Sequence, residues 1–286
     1  MKAFVLAAGL GTRLRPLTFK KPKPLIEVNS RPVIDYVLEW LANQGIKEVI
    51  INLHYMPNMI KRYLSASEFV KIPMRIRGSG GKNLLAPRRV TGRQGMTLPT
   101  ARGVKLLWKY PRRGYLRGGE FGLKITYSYE KNILGTAGAL KKKEKELGKT
   151  FLVTACDSLT NIDIKKALAF HKNKKALATM ILKEIKNSEK YRIIGLDRQG
   201  MVCQFLNKYK SQEPETKAVH TGIVILEPEV LKYIPFNKFY GLEKVYLQML
   251  ERGDPLFGYL TGEFWCEVGS LKSLEEASKI AFKGLF

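Results

Sequence analysis

Ala3-Phe4-Val5-Leu6-Ala7-Ala8, followed at once by Gly9-Leu10-Gly11-Thr12-Arg13, is the stretch that decides the fold. Six apolar residues without polar alternation read as a strand covered on both faces, the condition of a strand inside a parallel sheet. Gly9 and Gly11 end it in a turn where backbone can approach a ligand closely. The N–H groups of such a turn form an anion-binding nest. The guanidinium of Arg13 adds a fork shaped for phosphate. An ordinary strand-to-helix turn has the same look, so this segment alone leaves both readings open. Its spacing matches neither the dinucleotide GxGxxG nor the Walker A pattern, which argues against a Rossmann dehydrogenase.

Outward from this turn the pattern repeats. Val33 to Asn43 carries Ile34, Val37, Leu38 and Leu41 at helical spacing. Lys47 to Leu53 reads as a second buried strand, and Pro57 to Leu64 as a second helix. Further on come a strand at Leu123 to Tyr129 and a helix at Ala137 to Leu147. A strand at Phe151 to Thr154 ends toward Asp157, and a helix follows at Ile164 to His171. Ala176 to Leu182 reads as a strand, Tyr191 to Phe205 as a hairpin turning at Asp197 to Gly200, and Gly222 to Leu226 as a strand. Leu271 to Phe282 closes the chain as a helix. Strands alternating with helices predict an α/β fold, a doubly wound Rossmann-like mixed sheet flanked by helices, in a single domain.

The chain has 286 residues, 45% of them hydrophobic, enough to bury a real core. Its formal charge is +25, which draws it toward phosphates, nucleic acid or anionic surfaces without choosing among them. Cys156, Cys203 and Cys266 are odd in number and far apart, as are His54, His171 and His220. No disulfide framework or zinc motif follows from them. The apolar run after Lys2 is too short for a signal peptide, and no stretch approaches a membrane span. The expectation is a cytoplasmic protein.

Residues 65–116 break the alternation. They carry 12 Lys or Arg against one acid, Glu68, with frequent Gly and Pro and no sustained helical or strand period. The flanks resemble each other: Glu68-Phe69-Val70-Lys71-Ile72 on one side, Glu120-Phe121-Gly122-Leu123-Lys124-Ile125 on the other. This reads as a basic insertion bracketed by an imperfect repeat, with chance similarity as the alternative. Such a run is a functional loop, a linker or a disordered segment. With Trp108, Tyr110 and Tyr115 among its cations, it is a candidate nucleic-acid arm, against the plainer reading of a basic loop.

Leu14-Arg15-Pro16-Leu17-Thr18 and Lys21-Pro22-Lys23-Pro24-Leu25 continue the first turn. From Leu6 to Val28 the sequence resembles the sugar-1-phosphate nucleotidyltransferase family, which includes the glucose-1-phosphate and mannose-1-phosphate nucleotidylyltransferases. The resemblance implies that Leu6, Ala7, Ala8, Gly9, Gly11, Thr12 and Arg13 hold a nucleoside triphosphate. It implies that Arg13 and Lys23 neutralise the reacting phosphates. Glu130 to Leu140 (EKNILGTAGAL) resembles the family's base-recognition segment, placing Gly135 and Thr136 against the nucleotide and Glu130 at the base edge. A carboxylate only accepts hydrogen bonds, which suits the two donors of guanine and leans toward GTP over dTTP or UTP. The plain alternative for Glu130 is a solvated strand-end acid.

Asp157 follows a buried strand, where open α/β sheets bind ligands. It resembles the family aspartate that coordinates Mg²⁺. Trp265-Cys266-Glu267-Val268-Gly269 resembles the second metal motif, but with Glu267 where an aspartate is usual, and Mg²⁺ is strict about geometry. On the sugar side the match is looser. The resemblance assigns Arg192, Asn207, Lys208 and Thr221 to the sugar phosphate. Arg192 stands where glycine is common, and Asn207 and Tyr209 replace a glutamate and a proline. His220 reads as a satisfied core histidine. The resemblance covers residues 1–64 and 117 to about 280, and no hexapeptide repeat follows.

The implied function is Mg²⁺-dependent nucleotidyl transfer from a nucleoside triphosphate to a sugar-1-phosphate, releasing pyrophosphate. The other reading is a catalytically weakened relative that regulates or binds nucleic acid. Oligomer formation stays open.

Overall fold

The computed structural model describes residues 1–65, 72–77, 83–88, 122–184, 193–205, 208–209 and 214–282. The chain runs β1 (Lys2–Leu6), β2 (Glu27–Val28), β3 (Arg31–Pro32), α1 (Val33–Asn43), β4 (Glu48–Leu53) and α2 (Pro57–Ser65). Next come β5 (Ile72–Arg77), β6 (Asn83–Arg88), β7 (Lys124–Tyr129), α3 (Gly135–Lys141), β8 (Phe151–Ala155), β9 (Ser158–Thr160), α4 (Ile164–Asn173) and β10 (Ala178–Lys183). The remainder is β11 (Ile193–Leu196), β12 (Val202–Phe205), β13 (Lys208–Tyr209), β14 (Thr216–Leu226), α5 (Leu242–Arg252), β15 (Leu256–Leu260), β16 (Trp265–Glu267) and α6 (Leu271–Phe282).

Ten strands form one mixed sheet in the order β13-β12-β11-β14-β8-β1-β4-β7, with β10 on β14 and β15 on β10. β1 runs parallel to β8 and β4, and β4 parallel to β7. β14 is antiparallel to β8 and long enough to pair β11 with its first residues and β8 with its last. The alternation of a pleated strand divides the core in two. Phe4 packs into one apolar cluster with Ala137, Leu140, Val245 and Met249, from α3 and α5. Its neighbours Ala3 and Val5 pack into another with Ile34, Leu38, Ile60 and Ile164, from α1, α2 and α4. Helices therefore cover both faces of the sheet, as the apolar run at residues 3–8 predicts.

Several boundaries move. β1 ends at Leu6, because Ala7 and Ala8 already belong to the loop. The helix expected over 137–147 stops at Lys141, and a 3-10 turn covers Glu144–Glu146. The strand expected at 222–226 is the second half of the 11-residue β14. α5 was not anticipated, although Leu242, Val245, Tyr246, Met249 and Leu250 form a buried stripe. Within residues 65–116, β5 and β6 pair antiparallel, so that segment holds a hairpin that the sequence pattern did not suggest. Its other residues beyond Ser65, with Trp108, Tyr110 and Tyr115, lie outside the described residues.

Candidate active site

Parallel strands β1, β4, β7 and β8 release their carboxyl ends on one side of the sheet, where open α/β folds bind ligands. A cleft of about 510 Å³ opens there. Its lining brings together Leu6, Ala8, Gly9, Arg13, Lys23, Glu130, Gly135, Thr136, Asp157, Thr221 and Glu267. Residues separated by more than 260 positions thus meet around the first glycine turn.

The turn is built from local rules. Gly11 has φ +64°, and a Cβ there would lie 2.8 Å from Thr18 Cγ2. Thr18 donates its hydroxyl to the Gly11 carbonyl at 2.8 Å, and Tyr55 donates to the Thr18 carbonyl at 2.9 Å. Gly11 is therefore needed for the turn itself. Gly9 is different, because a Cβ there would meet nothing within 4 Å. Its open side faces the cleft. Thr12 opens a 3-10 turn that carries Arg13 toward the cleft, and Thr12 itself does not line it.

Ala7 also departs from the expected role. Its N–H donates to Asn52 Oδ1 at 2.6 Å, so it is committed inside the protein. Asn52 Nδ2 donates in turn to Glu130 Oε1 at 2.7 Å, and Leu134 N–H donates to Glu130 Oε2 at 2.9 Å. Glu130 is 1% exposed. It is a buried acid tying β4 to the start of α3, not a solvated strand-end acid. Gly135 has φ +75° and packs on the Tyr240 backbone, while the Thr136 hydroxyl accepts from Leu242 N–H at 2.8 Å and caps α5.

The charged groups come in two pairs. Lys23 Nζ bonds Asp157 Oδ2, with both side chains largely buried. Burial works against the Lys23 charge. Attraction to Asp157, with help from their hydrogen bond and from Glu267, outweighs it and holds the lysine above its usual pKa. Arg13 Nη2 bonds Glu267 Oε1 at 3.0 Å and is far more exposed. Glu267 lies opposite Ser158 in the β9–β16 ladder, and Val268 N–H donates to the Asp157 carbonyl at 2.9 Å. Asp157, in the turn before β9, and Glu267, at the end of β16, are thus held side by side in the lining of one cleft.

Cys156 is buried beside them, and burial pushes its thiol up to about 12, so it stays protonated and inert. Also in the lining, the Thr221 hydroxyl donates to the Ile181 carbonyl at 2.8 Å. His220 lines the cleft as well, yet its buried Nε2 has no hydrogen-bond partner among the described residues. The ring does hydrogen-bond the Ile223 backbone, so the core histidine expected from the sequence is satisfied on one side only. Burial lowers its pKa to about 4. Arg192 and Asn207 lie outside the described residues, and Lys208 sits in β13 beside Phe205 of β12.

Sequence reasoning missed Asn52, Glu243 and Trp265 in the lining. Asn52 left a signal, as the single polar residue near the end of an apolar strand. Glu243 left none, because α5 was not recognised.

The chain matches one family model, described as nucleotidyl transferase, over residues 2–86 and 111–283. The chain belongs to the nucleotidyl transferase family. The match extends past the boundaries expected for the basic insertion and leaves residues 87–110 outside it. Among curated relatives, the UTP–glucose-1-phosphate uridylyltransferase of Synechocystis sp. is 27% identical over 292 residues, 97% of this chain and 62% of that protein. The mannose-1-phosphate guanyltransferase of Saccharomyces cerevisiae is 29% identical over 277 residues, 95% of this chain and 62% of that protein. This nucleotidyl transferase chain therefore spans about three-fifths of the length of these relatives. Among solved structures, HddC from Yersinia pseudotuberculosis superposes with a TM-score of 0.68 at 19% identity, covering 97% of this chain and 98% of the other. Apo UDP-glucose pyrophosphorylase superposes with a TM-score of 0.71 at 17% identity, covering 100% and 99%. These likenesses concern the fold.

Among the described residues, no group of three or more His, Cys, Asp or Glu side chains is arranged to hold a metal. None of the described helices is long and apolar enough to cross a membrane.

Proposed function

We propose that this nucleotidyl transferase joins a nucleoside triphosphate to a sugar-1-phosphate and releases pyrophosphate. The observation that carries the reading is the convergence of Arg13, Lys23, Asp157 and Glu267 on the open side of Gly9 in one cleft. Two polyanions meet in such a reaction, and their mutual repulsion must be cancelled first. The Gly9 turn leaves room for phosphate against backbone, and Arg13 and Lys23 supply fixed counter-charge as pyrophosphate departs. The described residues offer no activated nucleophile at this turn, since Cys156 is protonated and buried. The sugar phosphate is then the attacking group, and the protein's work is positioning and charge stabilisation.

The donor chemistry of the two acids suits a hard divalent ion. Asp157 Oδ1 and Glu267 Oε2 make no hydrogen bond among the described residues, and Mg²⁺ takes one or two carboxylates plus substrate oxygens. Asp157 and Glu267 would hold Mg²⁺, which would supply charge neutralisation at the phosphates.

Glu130, Gly135 and Thr136 are assigned to the base side. Glu130 keeps acceptor capacity beyond its two internal bonds, and this supports guanine over uracil or thymine. The relatives include one named a UTP–glucose-1-phosphate uridylyltransferase and one named a mannose-1-phosphate guanyltransferase. Thr221, His220 and Glu243 also line the cleft, and we assign the sugar to Thr221 with Lys208, Asn207 and Arg192. Pyrophosphate release, measured with each of four triphosphates against glucose-1-phosphate and mannose-1-phosphate, tests the reading. Turnover is expected with at least one pair, fastest with GTP. Tight triphosphate binding without turnover on any pair would instead favour a regulatory relative.

A further inference from the structure

Each acid of the cleft is bonded to a cation that the proposed reaction needs elsewhere. Glu267 Oε1 holds Arg13 Nη2 at 3.0 Å, and Asp157 Oδ2 holds Lys23 Nζ. The outer pair joins two distant segments: the loop after β1 and the end of β16, 254 positions apart. Room for it is built into the backbone. A Cβ at Gly269 would overlap Glu267 Oε1 and come within 3.1 Å of Arg13 Nη2, although Gly269 has no left-handed φ. Glycine at 269 is explained by the ion pair, not by the turn. Glu267 also has the reach: its second methylene carries the carboxylate out to the guanidinium.

We propose that the Arg13–Glu267 pair is a latch that parks the phosphate-binding arginine on Glu267, so that triphosphate must take Arg13 away from Glu267 before it is fully held. The pair stands in direct competition with the ligand. Triphosphate oxygens need the same guanidinium N–H groups that Glu267 accepts from. Once Arg13 swings to phosphate, Glu267 is released toward a divalent ion. Phosphate and cation binding are thereby coupled through one side-chain exchange. The buried Lys23–Asp157 pair is held by its low exposure and keeps the inner wall charged but neutral overall while the latch opens. The inference rests on the triphosphate reading of this cleft, not on turnover.

Arg13 is two-thirds exposed, so the latch is worth what an exposed pair is worth, roughly a two- to fivefold effect on a competing ligand. The probe is inorganic tripolyphosphate, titrated by calorimetry into the full chain in excess EDTA. Two substitutions release Arg13 without changing net charge. Glu267→Asp withdraws the carboxylate by one methylene, and Gly269→Ala pushes it aside. Both are expected to bind tripolyphosphate about two- to fivefold tighter than the wild type, with unchanged far-ultraviolet circular dichroism. Arg13→Gln is expected to bind it more weakly than either. Equal affinity of wild type and Glu267→Asp would overturn the latch while leaving the triphosphate site standing. Absence of binding by wild type and every variant would overturn both. If Gly269→Ala does not fold, Glu267→Asp decides alone.

Discussion

The side-chain amide of Asn52 donates to the carboxylate of Glu130 at 2.7 Å, and both residues are buried. With Ala7 N–H on Asn52 Oδ1 and Leu134 N–H on Glu130 Oε2, the pair joins the ends of β1, β4 and β7 to α3. Cutting it leaves buried polar groups without partners. Asn52→Leu should therefore lower unfolding free energy by about 2–4 kcal/mol, read from urea denaturation. Asn52→Asp should also destabilise, because it sets a second carboxylate against Glu130.

Gly9 and Gly135 are both glycines of the cleft, but they are there for different reasons. Gly9→Ala meets no atom of the protein, so its melting temperature should match the wild type. The methyl would occupy ligand space, and the KM for triphosphate should rise on the order of tenfold. Gly135→Ala forces φ +75° on alanine and sets Cβ 2.6 Å from the Tyr240 carbonyl oxygen. It should destabilise by about 2–4 kcal/mol. Thermal melts of the two variants side by side check the contrast. A Gly9→Ala protein that melts early would refute the open-side assignment.

Lys23 and Asp157 should be strongly coupled. Asp157 is 4% exposed, so Lys23→Met strands a buried carboxylate and should cost about 3 kcal/mol of stability. The double change Lys23→Met with Asp157→Leu should recover part of that loss. All of these variants should lose nucleotidyl transfer by on the order of 100-fold or more. A double-mutant cycle on denaturation midpoints, with pyrophosphate release beside it, separates the stability effect from the chemical one.

His220 makes stability depend on mild acid. Burial lowers its pKa to about 4, whereas the unfolded chain titrates near the ordinary histidine value of about 6.5. Between those values the unfolded state binds more protons, so stability falls as pH falls. The loss should reach about 2–3 kcal/mol by pH 4 and should be absent above pH 7. His220→Gln should flatten that part of the profile in denaturation curves taken from pH 4 to pH 7.5.

Periodicity alone determined that this chain is a sheet covered on both faces. The apolar run at 3–8, ending in glycine, fits a strand buried on both faces, and the helical stripe at 33–43 supplies a layer to cover one of them. The glycine turn with Arg13 and Lys23, and the acids Asp157 and Glu267, were legible because each sits beside a strong local marker: a strand end, a glycine pair or a Trp-Cys-Glu run. The roles of Asn52 and Glu243 were not, since they come from neighbours that are distant in sequence. The stripe of α5, Leu242, Val245, Tyr246, Met249 and Leu250, does carry the helical period, and the sequence reading passed over it.

Only the tertiary structure decided how the charges pair. Sequence spacing cannot say that Arg13 meets Glu267 across 254 positions, that Ala7 N–H is spent on Asn52, or that Glu130 is buried. Local patterns report which face of a residue is apolar. Pairing between polar groups depends on which strand ends the sheet order brings together, and that order is a property of the whole chain.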